Sequence, residues 1–162
     1  MRKFFKLAAL LLSLIFVGVQ FVRPERVNRP RDPARSLEAR AHLTPEVSAV
    51  LARSCNDCHT DRTRWPWYSE VWPLSWFVAD HVEHGRRHLN FSDWARYGSR
   101  DMDGLLNDIC GEAKRGTMPL PSFTLVHRSA KLTPRDVQTL CDWAAAERGR
   151  LASATPQPRA RE

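Results

Sequence analysis

The five residues Cys55-Asn56-Asp57-Cys58-His59 carry the most information in this chain of 162 residues. They form a C-x-x-C-H motif, the pattern on which c-type cytochromes attach haem covalently. Two thiols at this spacing can each form a thioether to one porphyrin edge, and the histidine that follows can bind the iron from one face. The motif therefore predicts one covalent haem c, attached through Cys55 and Cys58, with His59 as the proximal iron ligand.

Two other kinds of site use the same residue types. A thiol redox pair also has the pattern C-x-x-C, but it usually lies in a βαβ context, and this sequence lacks that alternation. A structural zinc site would need a fourth ligand beside Cys55, Cys58 and His59. Cys110 or Cys141 could supply it, yet neither lies in a second paired motif. The sequence therefore favours haem over zinc or thiol chemistry.

The N-terminus has the layout of an export signal. Arg2, Lys3 and Lys6 precede an apolar run over residues 7–22. A membrane span needs about 17–25 residues, so this run is at the short end. A cleaved signal peptide has the same basic-then-apolar order, but no A-x-A site follows the run. Residues 1–22 are therefore predicted to be a signal anchor that forms an N-terminal membrane helix, with a signal peptide as the alternative.

The net charge of +7 would suit a nucleic-acid-binding protein, but its distribution does not. Residues 1–42 carry +6 and residues 149–162 carry +2, whereas residues 43–148 carry −1. We therefore expect no nucleic-acid partner. The arginines after the apolar run would keep the C-terminal side in the cytoplasm under the positive-inside rule. We set that rule aside because haem attachment to C-x-x-C-H takes place on the exported side of bacterial membranes.

Composition divides the rest of the chain into three parts. Residues 23–42 are rich in arginine and proline and predict an extended linker. Residues 149–162 predict a disordered tail. Residues 43–148 predict one all-α domain, because apolar residues recur there at helical spacing and no alternating strand pattern occurs.

Four helices are predicted in this domain from caps and apolar periodicity. They begin at Pro45, near Pro73, near Asp103 and at Pro134, and the last two end at Gly116 and Gly149. A helix that leads into the haem motif and a C-terminal helix able to pack on it form the arrangement of small cytochromes c.

The haem iron needs a sixth ligand, or its distal position stays open. Met118 is the preferred ligand because it follows a helix end, where Pro119 and Pro121 hold the backbone extended. A thioether ligand raises the haem potential, which suits electron transfer. The other candidates are Met102, His42, His81, His84, His88 and His127. Of these His127 comes second, whereas the three histidines at 81–88 cluster where a surface position is more common than ligation.

Aromatic and arginine side chains follow the motif closely. The aromatic residues Trp65, Trp67, Tyr68, Trp72 and Trp76 could wall the porphyrin, or form a tryptophan-rich core. Arg64, Arg86 and Arg87 could pair with the haem propionates, although solvation is the more common state of such arginines.

Cys110 and Cys141 each lie on the apolar face of a predicted helix. If these helices pack face to face on the oxidising side of the membrane, the two residues can form a disulfide. Otherwise both remain buried thiols that act as small hydrophobic side chains. The sequence leaves both possibilities open.

Several linked motifs give the chain a family resemblance: C-x-x-C-H, W-P-W-Y, G-R-x-H-L-N-F-S-x-W and M-P-L. With these motifs, residues 27–148 resemble the bacterial haem-binding domain family, small cytochrome c-like proteins that often carry an N-terminal membrane anchor. The resemblance implies haem c, a cytochrome-like helical fold, and haem roles for Cys55, Cys58 and His59. It is compatible with ligation by Met118, does not include Cys110 and Cys141, and supplies no pathway.

Two functions follow from these expectations. The first is a periplasmic mono-haem cytochrome, tethered to the bacterial inner membrane through its N-terminal helix, that transfers electrons to an unknown redox partner and is not an enzyme. The second is a haem protein with a displaceable distal ligand, acting as a gas or redox sensor or as a peroxidase-like enzyme.

Overall fold

The computed structural model describes residues 1–154. Within this range every regular element is helical and no strand occurs, which confirms the predicted all-α class. The α-helices are α1 (Arg2–Val19), α2 (Leu37–Arg40), α3 (Pro45–Ser54), α4 (Asn56–His59), α5 (Leu74–His88), α6 (Ser99–Arg115), α7 (Pro121–Val126) and α8 (Pro134–Ala154). Short 3-10 segments cover Pro33–Arg35, Trp67–Glu70, Phe91–Arg96 and Arg128–Ala130.

Side-chain caps set the starts of α3 and α8. Thr44 Oγ1 accepts a hydrogen bond of 3.3 Å from the amide of Val47. At α8, Asp136 Oδ2 accepts from the amide of Thr133, and Thr133 Oγ1 accepts in return from the amide of Asp136. Both caps satisfy amides that have no partner within the helix, so these starts follow from local sequence.

Helix α8 runs through Gly149, where the sequence predicted its end, and continues to Ala154. Its last turns have partners that a frayed tail would lack, because Arg148 pairs with Asp103 at 2.7 Å and Arg150 pairs with Glu147 at 2.6 Å. The remainder of the predicted tail, residues 155–162, lies outside the described residues.

The hydrophobic core lies between α3, α6 and α8, with α2 and the segment Phe91–Arg96 closing one side. Its most deeply buried side chains include Leu37, Val47, Val50, Leu51, Phe91, Trp94, Leu106 and Leu140. A disulfide joins Cys110 of α6 to Cys141 of α8, with their Cα atoms 4.7 Å apart. The two longest helices of the domain are therefore linked covalently as well as by packing.

The segment 23–42, predicted to be an extended linker, is ordered against the domain. Asn28 exchanges two hydrogen bonds of 3.0 Å with the backbone of Thr63, and Arg86 Nη1 donates to the carbonyl of Val27. Leu37 is only 1% exposed and belongs to the core. The prediction of an extended linker is wrong here. The residues that bind this segment, Thr63 and Arg86, lie far along the chain, so the composition of residues 23–42 cannot reveal these contacts.

Helix α1 projects from the domain, and none of its residues is buried. In the part of the chain that the structure describes, no helix is long and apolar enough to cross a membrane. The predicted N-terminal membrane helix is therefore not found. The physical reason is length: the first turns carry Arg2, Lys3 and Lys6, and α1 ends at Val19. Its apolar part spans about 20 Å, against about 30 Å of bilayer hydrocarbon.

Candidate functional site

The C-x-x-C-H motif occupies the turn between α3 and α4. Cys55 ends α3 and caps α4, since its amide donates to the carbonyl of Leu51 and its own carbonyl accepts from the amides of Cys58 and His59. One helical turn therefore presents two thiols and one imidazole together.

These side chains open into a cavity of about 660 Å³, which lies within the size range of cofactor sites. The cavity is lined by Cys55, Cys58, His59 and Met118, so the structure brings all four predicted haem residues to one space. Helix α5 contributes one wall, α6 another, and residues 118–123 a third. Most of the exposed lining is apolar, as a porphyrin requires.

His59 is oriented for ligation through its second nitrogen. Its Nδ1 lies 2.9 Å from the carbonyl oxygen of Leu89 and donates to it, which leaves Nε2 available to a metal. Burial is the main cause that lowers the pKa of His59, against hydrogen bonds to the backbone of Leu89 and Gly85 that raise it. The imidazole is thus held neutral, the form that binds iron.

The two motif thiols are also held neutral. Burial, with a smaller contribution from Cys58, raises the pKa of Cys55 to about 12. Burial and the charge of Asp57 raise the pKa of Cys58 to about 11. A thiol redox pair needs an accessible thiolate, so this environment disfavours that alternative.

A zinc site finds no support in the described residues. Among residues 1–154, no group of three or more His, Cys, Asp or Glu side chains is placed to hold a metal ion. Cys110 and Cys141, the possible fourth ligands, are bonded to each other.

Gly85 allows α5 to lie directly on the motif. A Cβ atom built on Gly85 would lie 2.8 Å from the carbonyl oxygen of Cys58, closer than real side chains approach. Sequence reasoning missed this residue. The available signal was a glycine in the interior of a helix, which costs about 1 kcal/mol relative to alanine and so indicates a packing reason.

Arg86, a possible propionate partner that was expected to be solvated, is buried with an exposure of 4% and does not line the cavity. Its guanidinium donates to the carbonyls of Thr60 and Val27 and to the side-chain oxygens of Asn28 and Thr63, at 2.6–2.9 Å. Burial lowers the pKa of Arg86, whereas the nearby Asp61 carboxylate raises it. Four of the five N–H groups of Arg86 are therefore already bonded within the protein.

The residues that Arg86 holds cap the motif helix. Thr60 Oγ1 donates to the carbonyl of Asn56, and Thr63 Oγ1 donates to the carbonyl of Asp57, both at 2.7 Å. The end of α4 is thus fixed by two threonine hydroxyls, and Arg86 fixes the threonines. Arg86 positions the motif without contacting the cavity.

The other two possible propionate partners also lie outside the cavity lining. Arg64 pairs with Asp57 at 3.1 Å, and Arg87 lies 3.9 Å from Glu83 on the outer face of α5. No lysine or arginine occurs among the described residues that line the cavity. The structure therefore gives no support to propionate pairing by these arginines, and Arg64 and Arg87 are exposed, as the alternative expectation of solvation had it.

Met118 lies in the turn after α6. Gly116 adopts a left-handed conformation with φ of 69° and ends the helix, and the amides of Thr117 and Met118 donate back to the carbonyl of Glu112. The Met118 side chain lines the cavity yet is 38% exposed. The thioether reaches the cavity from α6 and α7, elements different from those that hold His59.

The second distal candidate, His127, is not among the residues that line the cavity. Its Nε2 lies 2.7 Å from the Tyr68 hydroxyl, and its ring stacks on Phe123 with centroids 4.4 Å apart. Two other candidates also lie elsewhere: Met102 packs against the core, and the backbone of His42 bonds to Glu147 and Trp143 of α8.

Three histidines predicted to lie at the surface are accessible and also line the cavity: His84 and His88 are exposed, and His81 is half-buried. His81, His84 and His88 recur at i, i+3 and i+7 on α5, the spacing of one helical face, so the signal was present in the sequence. His81 Nδ1 and His84 Nδ1 lie 2.7 and 2.9 Å from backbone carbonyls one turn earlier and donate to them. Their Nε2 atoms are left free.

The predicted aromatic wall is not formed by the residues expected. Trp65, Trp67, Trp72 and Trp76 are not among the described residues of the cavity lining, and Trp67 is 78% exposed. Phe91 and Phe123 supply the aromatic surface instead.

Comparison with protein families agrees with this geometry. The family of haem-binding domains matches residues 14–146, most of the chain. The chain belongs to this haem-binding domain family. Searches of curated proteins and of solved structures find no match. The donor set fits the cofactor that the family implies: two neutral thiols at thioether spacing and a tautomer-fixed imidazole face one largely apolar cavity, together with a thioether.

Proposed function

We propose that this haem-binding protein is a mono-haem c-type cytochrome that works as an electron carrier or redox module. Cys55 and Cys58 hold the haem through thioethers, His59 binds the iron on the proximal side, and Met118 binds it on the distal side. Bound haem supplies one-electron chemistry between the ferric and ferrous states. The observation that carries the proposal is the fixed, neutral imidazole of His59 beside two thiols in a cavity that Met118 shares.

The chain's own residues then set the properties of the site. The Leu89 carbonyl orients His59 and increases its basicity as a ligand. Apolar side chains such as Leu105, Ile109 and Leu120 exclude water from the cavity, which favours the less charged ferrous state. Electron transfer is fastest when the groups around the haem move little. The buried hydrogen bonds of Thr60 and Thr63 to the carbonyls of α4 would keep the motif rigid.

We further propose that the domain works in the periplasm at the bacterial inner membrane. Residues 1–22 keep the basic-then-apolar order of an export signal. The disulfide between Cys110 and Cys141 suits an oxidising compartment. The apolar side chains of α1 are exposed around the helix, and we propose that they contact the membrane. Flotation of the full chain with vesicles, compared with the Leu11→Asp variant, tests this contact.

Mass spectrometry of the denatured protein tests the proposed function. The full chain, expressed with haem-attachment machinery, is expected to be heavier by one haem. The variant with both Cys55→Ser and Cys58→Ser, expressed in the same way, is expected to show only the polypeptide mass. An unmodified mass for the natural sequence would contradict covalent attachment.

One observation favours a second candidate function. Met118 is 38% exposed, and His81, His84 and His88 line the same cavity, so a displaced thioether would leave an open iron beside acid–base groups. Such a site suits gas or redox sensing or peroxidase-like chemistry. Optical spectra of both oxidation states, with and without carbon monoxide, separate the two: a carrier stays six-coordinate, whereas a sensor binds carbon monoxide rapidly.

A further inference from the structure

Tyr68 and His127 form a hydrogen bond between two segments that lie 59 residues apart in sequence. The Tyr68 hydroxyl and His127 Nε2 are 2.7 Å apart. One face of the imidazole ring is fixed as well, because it stacks on the ring of Phe123, with centroids 4.4 Å apart and an interplanar angle of 24°. His127 also closes α7, since its amide donates to the carbonyl of Phe123.

The Tyr68 end of this contact belongs to the motif side of the cavity. Tyr68 follows Arg64, whose side chain binds the Asp57 carboxylate inside the motif. Burial raises the pKa of Tyr68, and the charges of Asp57 and Cys58 add to this effect, which reflects how near the ring lies to α4.

The His127 end belongs to the Met118 side. Phe123, on which the imidazole stacks, lines the cavity together with Met118 and Leu120. This segment is anchored before Met118 by the carbonyl of Glu112, and after His127 by Ala130, whose carbonyl accepts from Ser54 Oγ. Between these two anchors, the hydrogen bond from His127 to Tyr68 attaches the segment directly to the motif side of the cavity.

We propose that Tyr68 and His127 form a clamp that sets the separation between the haem-attachment motif and the Met118 segment. The clamp keeps the Met118 thioether within reach of the iron. His127 is thus a positioning residue and not an iron ligand, because the Nε2 atom that would bind iron is bonded to Tyr68. This inference rests on the proposed haem function with Met118 as distal ligand.

The test uses the full-length holoprotein and the variants Tyr68→Phe and His127→Ala. Each variant is expected to keep its covalent haem, to show a weaker thioether-to-ferric-iron charge-transfer band, and to bind carbon monoxide about five- to tenfold faster when reduced. That factor corresponds to the loss of about one hydrogen bond from the closed state. The double variant is expected to match His127→Ala, because that change already breaks the hydrogen bond that Tyr68→Phe removes.

Tyr97→Phe is the matched control, since the chain contains two tyrosines. The Tyr97 hydroxyl accepts from the amide of Asn90, on the proximal side of the domain. Its removal is expected to lower stability while leaving the charge-transfer band and the carbon monoxide rate unchanged.

Three results would overturn the clamp. The first is an unchanged band and rate in both Tyr68→Phe and His127→Ala with haem attached. The second is a holoprotein whose iron stays six-coordinate in Met118→Ala but becomes five-coordinate in His127→Ala, which would make His127 a ligand. The third is a natural protein without covalent haem, which contradicts the proposed function itself and is recognised from the mass before any variant is made.

Discussion

The proximal and distal sides of the cavity are built in different ways. On the proximal side, His59, Gly85 and Arg86 belong to a buried set of contacts in which backbone carbonyls and threonine hydroxyls fix the motif helix. On the distal side, Met118 is 38% exposed and precedes α7, a helix of six residues. The difference shows that this fold holds the C-x-x-C-H turn in buried contacts and holds Met118 by a few replaceable contacts. Under the proposed function, haem attachment is therefore expected to be rigid and the sixth ligand adjustable.

The largest effect is expected from Arg86→Met. The change leaves the carbonyls of Val27 and Thr60 without their donor, and it removes the positive charge 3.5 Å from the buried Asp61 carboxylate. Removing one partner of such a set costs about 3–5 kcal/mol. Urea unfolding of the holoprotein measures the loss, and the yield of attached haem is expected to fall with it.

Arg87→Met provides the matched control for this change. Arg87 is the next residue on α5, is exposed, and lies 3.9 Å from Glu83. Exposed pairs contribute about 0–1 kcal/mol, so this variant is expected to unfold at nearly the same urea concentration. Equal losses in the two variants would show that the proximal side is not held by Arg86.

A second large effect is expected from the double variant Cys110→Ser and Cys141→Ser. The two cysteines are 31 residues apart, and the loop-entropy relation assigns a bond across that length about 3–4 kcal/mol. The variant is expected to lose that stability but to keep the thioether charge-transfer band, because the disulfide fixes α6 against α8 and not the Met118 turn. Loss of the band at temperatures where the variant is folded would show that the packing of α6 against α8 also positions the Met118 turn.

Local signals predicted most of the regular structure. The caps at Thr44 and Thr133, the helix end at Gly116 and the C-x-x-C-H turn each depend on residues within one or two turns of each other. Such contacts can be read from sequence because the partners are neighbours in the chain. The same holds for His81, His84 and His88, because their spacing in the sequence indicates that they share one face of a helix.

Long-range partners account for what the sequence did not reveal. The sequence around Arg86 predicts a solvated arginine. It is buried because the segment containing Val27, 59 residues earlier in the chain, packs over it. The segment 23–42 has the composition of a linker, yet it is ordered because Leu37 enters the core and Asn28 pairs with Thr63. Neither outcome can follow from local propensity, since each depends on a surface that exists only in the folded domain.

A smaller effect, of opposite sign at two sites, is expected from glycine substitutions. Gly85→Ala places a Cβ atom 2.8 Å from the carbonyl oxygen of Cys58 and is expected to cost about 2 kcal/mol by overpacking. Gly149→Ala, in α8, meets no atom within 4 Å and is expected to stabilise the helix by up to about 1 kcal/mol. Thermal unfolding of both variants checks the pair. If Gly85→Ala were also stabilising, α5 would not lie against the motif.

The smallest effect on stability is expected at the residue with the largest effect on the spectrum. Met118→Ala removes a side chain that is 38% exposed, so the free energy of unfolding of the apoprotein is expected to change by less than about 1 kcal/mol. In the holoprotein the same change is expected to abolish the thioether charge-transfer band and lower the reduction potential, because a thioether ligand raises it. Leu125→Ala is the control, since Leu125 lies in α7, is 77% exposed and does not line the cavity. If Met118→Ala destabilised the apoprotein as much as Gly85→Ala, the distal side would be as firmly packed as the proximal side. The contrast between a fixed attachment and an adjustable sixth ligand would then be wrong.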